Sequence, residues 1–196
     1  MPSLLQRNER AIAAARAGSE QASLLAQRVA LLARHWRLEE LPAALSLAEG
    51  VVGRAGDPRA AAELDLARGV ACYYGASVDE ALVPLERARH AAQALRDAGL
   101  QAECEAWLGC IHGTLQHEPA LTLGHLHAAA RLGERERPLA QARALYVAAT
   151  LYQEAELMDE SVRHYRRASL IARRENGEQL RRARAGGRLD AEQLKQ

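Results

Sequence analysis

The sequence predicts an all-α protein built as a stack of antiparallel helix pairs, and three observations predict it. Alanine, leucine, arginine and glutamate dominate, phenylalanine is absent, and valine and isoleucine are sparse and scattered. These are good helix formers, and the β-branched runs that favour strands are missing. Small and apolar residues then recur at i, i+4 and i+7, which is one face of a helix. Finally, that face returns at a forty-residue period along most of the chain.

The period is read most easily from its C-terminal copy. In ESVRHYRRASLIARR, the residues Ser161, Tyr165 and Ala168 share a face. Forty residues earlier stand Leu121, His125 and Ala128, then Ala81, Leu85 and Ala88, then Leu41, Leu45 and Ala48. The first half of each unit repeats as well. Gly69, Gly109 and Ala149 are small residues at equivalent places, each followed three residues later by Cys72, His112 or Tyr152. Helix-pair packing explains both columns. A small residue on the first helix lets the second helix of its pair approach closely, the later alanine does the same for the next unit, and the larger residue fills the gap.

Turn and cap residues divide the chain at matching points. Gly56-Asp57-Pro58 precedes one unit, with Asp57 as N-cap and Pro58 in the first helical position. Ser77 and Glu80 have the spacing of a capping box. Gly99 and Gly133 read as helix ends. Glu118-Pro119 and Arg137-Pro138 read as helix starts. Helices are expected near 3–17, 20–35, 38–54, 58–75, 78–98, 100–116, 119–133, 138–156 and 159–176. A kink or late start is expected at Pro84, and a short tail helix near 178–195 is interrupted by Gly186-Gly187. The units lie near 22–61, 62–101, 102–141 and 142–176, after an N-terminal helix. Residues 177–196 form a capping helix or tail.

On these residues the chain resembles the tetratricopeptide repeat family, whose unit carries W-x2-L-G-x2-Y in its first helix and A-x3-F-x2-A in its second. Leu108-Gly109 matches the L-G pair and Tyr152 the first-helix tyrosine. Ala81-x3-Leu85-x2-Ala88 and Ser161-x3-Tyr165-x2-Ala168 match the second helix. ALYVAATLYQEAELMDESVRHYRRA is the best single stretch. The unit is longer than the usual 34 or so residues, Arg68 precedes Gly69, His125 replaces an aromatic, and Val29 stands where glycine is expected. The resemblance covers roughly residues 22–176. It implies a right-handed superhelical solenoid. Longer units of this kind look like the arrays ahead of output domains in bacterial signalling proteins.

Composition narrows the function. A formal net charge of +1 offers no strong electrostatic case for nucleic acid or anionic membrane. Lys195 is the sole lysine, so arginine supplies nearly all the positive charge. Cys72, Cys104 and Cys110 form no CxxC pair and suit a reducing cytoplasm. Arg7, Glu9 and Arg10 interrupt any signal-peptide core, and no apolar run approaches the roughly 20 residues that span a bilayer. Cys104, Cys110, His112, His117, His125 and His127 are metal-ligating types, but their spacing matches no finger pattern, so no metal or other cofactor is expected. No GxSxG, HExxH, P-loop or GxGxxG arrangement appears, so no enzyme is expected. The arginines at 181, 182, 184 and 188 read as the polar face of a capping helix.

In the repeat family ligands bind the concave face, lined by first helices. The resemblance carries that role, by register, to Arg34, Glu63, Tyr73, Tyr74, Glu103, Cys110, Thr114, Arg143, Tyr146 and Gln153. The tyrosines offer flat amphipathic contact area, and the arginines can pair with carboxylates. The expected partner is another protein or a peptide segment, with no nucleic acid and no membrane, and a homo-oligomer is compatible with the sequence. The alternative is the sensory input half of a larger signalling protein such as a GGDEF diguanylate cyclase.

Overall fold

The computed structural model describes residues 3–115 and 119–193, with side chains as far as residue 177. The described residues are helical throughout, joined by short turns, and contain no strand. The helices are α1 (Leu4–Ala14), α2 (Ser19–Arg34), α3 (Leu41–Ala55), α4 (Pro58–Tyr74), α5 (Leu82–Ala94), α6 (Ala98–Thr114), α7 (Pro119–Glu136), α8 (Pro138–Glu154) and α9 (Met158–Gln193). Single 3-10 turns at Leu38–Glu40 and Asp79–Ala81 lead into α3 and α5. The second of these is the late start expected from Pro84, which lies in the first turn of α5.

Contacts follow the repeat. Helix α2 packs on α3 and α4, α4 on α5 and α6, α6 on α7 and α8, and α8 on α9. Each first helix therefore touches its own second helix and the first helix of the next unit. Ala22, Ala62, Ala102 and Ala142, spaced forty apart on these first helices, are all buried. Short turns between contacting helices make neighbours run in opposite senses.

Two glycines act as holes. A Cβ built on Gly69 of α4 would lie 2.4 Å from Leu85 Cγ on α5. One built on Gly109 of α6 would lie 2.5 Å from a methyl of Leu126 on α7. Only a residue without a side chain lets these helices close on each other.

The turns repeat with the helices. Trp36, Ala76 and Glu156, at forty-residue multiples, all adopt the left-handed conformation, with φ of 57°, 66° and 61°. After each, the next residue donates its N–H back five residues: Arg37 to Leu32 O at 3.0 Å, Ser77 to Cys72 O at 3.0 Å, and Leu157 to Tyr152 O at 2.8 Å. This is the Schellman closure, here built without glycine. Asp57 caps α4 as expected, accepting from the Arg59 N–H at 2.8 Å.

Several expectations need correction. The α7 register is displaced by one residue. Thr122, Leu126 and Ala129 are buried, whereas Leu121 is exposed, His125 and Ala128 only half-buried. There is one more residue between Gly109 and Leu126 than between Gly69 and Leu85, and the difference is recovered before Ser161, Tyr165 and Ala168. Gly99 is not a helix end. Arg96, at φ 56°, closes α5, and Gly99 lies in the first turn of α6 against the stem of Arg137. Gly133 does not close α7 either. It is buried inside the helix, where a Cβ would lie 3.0 Å from the Gln141 backbone nitrogen of α8. Ser77 and Glu80 form no side-chain capping box; the 3-10 turn there is held by Glu80 N–H to Ser77 O. Gly186-Gly187 does not interrupt the last helix, whose backbone continues from Met158 to Gln193, so the tail helix is not separate. His117 and Glu118 lie outside the described residues, as do the side chains of the arginines at 181, 182, 184 and 188.

Candidate functional site

Trp107 is the centre of a cluster contributed by four first helices. It lies on α6 at a position where the neighbouring units carry Ala67 and Val147, and its side chain is 2 % exposed. The Arg143 guanidinium of α8 sits over the indole at 4.4 Å from the ring centroid, and that of Arg34 of α2 at 5.6 Å. Tyr73 and Tyr74 at the end of α4 approach the same ring at 5.4 and 6.0 Å and meet each other edge-on at 5.3 Å. Trp36, 67 % exposed beyond the end of α2, completes the wall with an edge contact to Tyr74 at 5.6 Å. Cation–π attraction and T-shaped ring packing hold these groups in a fixed arrangement.

The charges are unevenly matched. Arg143 donates to Glu103, one repeat earlier on α6, at 3.0 Å. Arg34 has no salt bridge among the described residues. It is exposed at the mouth of a concavity, with packed side chains on its inner side that reduce its hydration. That desolvation, and next the charge of Arg143, lower its pKa, against the raising effects of Glu103 and Tyr74. Glu63 of α4 is held by Arg59 at 3.2 Å, while its Oε2 is buried without a donor. Trp107 Nε1 is likewise buried without an acceptor. Burial pushes the Tyr73 phenol up, with neighbouring Cys110 adding to it, and pushes the Cys110 thiol up, so both stay protonated at neutral pH.

Of the residues expected from register, Arg34, Tyr73, Tyr74, Glu103 and Arg143 come together around Trp107. Cys110 and Thr114 adjoin Tyr73, and Glu63 lines the same side of the stack next to Arg34. Tyr146 and Gln153 do not join them. Tyr146 is 56 % exposed and packs on Tyr165 of α9 at 5.3 Å, and Gln153 Oε1 lies 3.5 Å from the same tyrosine's hydroxyl. Trp107 and Trp36 were missed. The signal for Trp107 was a large aromatic in a column that holds Gln27, Ala67 and Val147 in the other units.

The histidines occupy a different interface. His125 Nδ1 lies 2.7 Å from Glu105 Oε2, and its ring stacks on His112 at 5.1 Å, between α6 and α7. Among the described residues no three His, Cys, Asp or Glu side chains converge as a metal-binding group, and no helix is long and apolar enough to cross a membrane. No family model, curated protein or solved structure matches this chain.

Proposed function

We propose that the chain is a helical-repeat scaffold of the tetratricopeptide kind, a right-handed superhelical stack whose concave side binds an extended segment of another protein. The observation that carries this reading is the Trp107 cluster. Arginine and tyrosine from α2, α4 and α8 converge on the buried Trp107 of α6, with Arg34 and Trp36 exposed at the edge. These residue types dominate protein interfaces, and a well-packed aromatic centre with a more polar rim is how such hot spots are built. The side-by-side packing of α2, α4, α6 and α8 supports a continuous groove. A binding role suits the cluster because it is built of guanidinium and aromatic side chains rather than of a nucleophile paired with a base.

The test is affinity capture from the native cell with quantitative mass spectrometry, comparing the unaltered chain with Tyr74→Ala/Arg143→Ala and with Tyr146→Ala. Specific partners should be lost from the double variant, by tenfold or more for a true hot spot worth about 2 kcal/mol, and retained by Tyr146→Ala. Partners that survive the double variant but vanish when residues 178–196 are removed would place the interface on the tail instead.

A further inference from the structure

We infer that the cavity between α2, α4 and α6 is a binding site for a small monocarboxylate with an aliphatic body. This site adjoins the Trp107 cluster but does not depend on the groove taking a protein segment. The cavity has a volume of about 380 Å³, within the range of small-ligand sites. Its walls are apolar: Ala30 and Leu31 from α2, Leu66 and Val70 from α4, and Leu100 from α6. Four charged residues line it as well, and their pairing decides the sign of the ligand. Glu63 is already neutralised by Arg59 at 3.2 Å and Glu103 by Arg143 at 3.0 Å. Arg34 has no salt bridge among the described residues, whereas Arg137 acts on the Asp97 carboxylate together with Arg59, so the surplus charge at the cavity is that of Arg34.

The cavity therefore presents an aliphatic interior with uncompensated positive charge at its edge. A cation would meet arginines with no free carboxylate pair. A neutral hydrocarbon would fill the apolar interior but gain nothing from the charge of Arg34 at its edge. A carboxylate accepts the planar guanidinium fork of Arg34 and carries its chain along the alanine and leucine surface. The larger hollow of about 700 Å³ beside the α7–α8 turn differs in kind. Glu134, Glu136 and Glu175 mix there with Arg135, Arg137 and Arg174, so it has no apolar interior to hold a chain.

The same chemistry can be presented by a free aliphatic acid or by the C-terminal leucine of a peptide, and calorimetric titration separates the two. Octanoate, octylamine, acetate, N-acetyl-Ala-Ala-Leu and its C-terminal amide would each be titrated into the full chain. Octanoate or the free-acid peptide should bind saturably, the tighter of the two naming the source, while octylamine, acetate and the amide should not. Arg34→Gln, at an exposed position, should weaken the bound acid about ten- to hundredfold, the effect of losing a charge-assisted hydrogen bond, with unchanged circular dichroism. Tyr146→Ala, which packs on Tyr165 away from the cavity, should leave that affinity unaltered. Absence of binding by both acids, equal binding of octylamine, or full affinity in Arg34→Gln would overturn the proposal.

Discussion

The α4–α5 and α6–α7 pairs both set a glycine against a leucine, but they treat the polar residue at the same repeat position in opposite ways. On α4, Asp65 is near the surface, accepting from Arg68 at 2.7 Å and from Arg87 of α5 at 2.8 Å. Forty residues on, Glu105 of α6 is 5 % exposed and is held by His125 of α7 at 2.7 Å. The one-residue displacement of α7 connects the two facts. In strict register His125 would occupy the hole over Gly109, where Leu85 sits over Gly69. The displacement puts Leu126 into the hole and turns His125 toward Glu105. What the repeat preserves is a hole filled by a leucine, and the chain shifts to satisfy that before it satisfies the spacing.

The largest test concerns the leucines. Leu85→Ala and Leu126→Ala should each cost about 2–5 kcal/mol in urea melts, as buried truncations beside rigid neighbours do. Gly69→Ala should cost about 1–3 kcal/mol through overpacking. The double variant Gly69→Ala/Leu85→Ala should lose less than the sum, because the new methyl enters vacated space. Strict additivity would mean the hole is not shared.

A second experiment separates the polar pairs. Glu105→Ala should cost about 1.5–3 kcal/mol, the range for hydrogen bonds to charged groups. Asp65→Ala, near the surface, should cost about 1 kcal/mol or less. Equal losses in denaturant titration would show that burial does not distinguish these pairs.

The junction between the two helix pairs gives an acid-side test. Asp97 caps α6 and holds Arg59. Its partial burial opposes ionisation, but the Arg59 and Leu100 N–H bonds prevail and its pKa lies below the ordinary aspartate value. A depressed folded pKa contributes stability above the unfolded value of about 3.9 and loses it as pH falls through the lower folded value. Melting temperatures taken through that acid range should fall less steeply for Asp97→Asn than for the unaltered chain. Parallel curves would remove Asp97 from the linkage.

The smallest effect concerns the left-handed closures. Ala76→Gly and Glu156→Gly should each raise stability by about 1 kcal/mol, since glycine adopts that conformation without the Cβ penalty. A lowered melting temperature in either would show that the side chain contributes more than the strain costs.

Much of the helical plan was legible before any coordinates. Asp57, Pro58 and Pro138 mark helix starts through local chemistry, and the Gly69 and Gly109 column identifies the close approaches. Gly99 and Gly133 were misleading for the same physical reason. A glycine permits both a left-handed turn and a close contact, and only the neighbouring helix shows which is used. The site was partly legible. Register picked out Arg34, Tyr73, Tyr74, Glu103 and Arg143, which gather around Trp107, but it gave no place to Trp107 itself, and Tyr146 turns toward Tyr165.

The sequence by itself determined that the chain is helical, where most helices begin and end, and which small residues face a neighbour. Those properties rest on propensity, caps and periodicity, which act over a few residues. Tertiary structure alone decided the displaced register of α7, the burial of Glu105 with His125, and the pairing that leaves Arg34 without a carboxylate while Arg143 holds Glu103. Each depends on distances between helices far apart in the chain, where a single residue of displacement rotates a side chain about 100° around the helix axis and exchanges its partners.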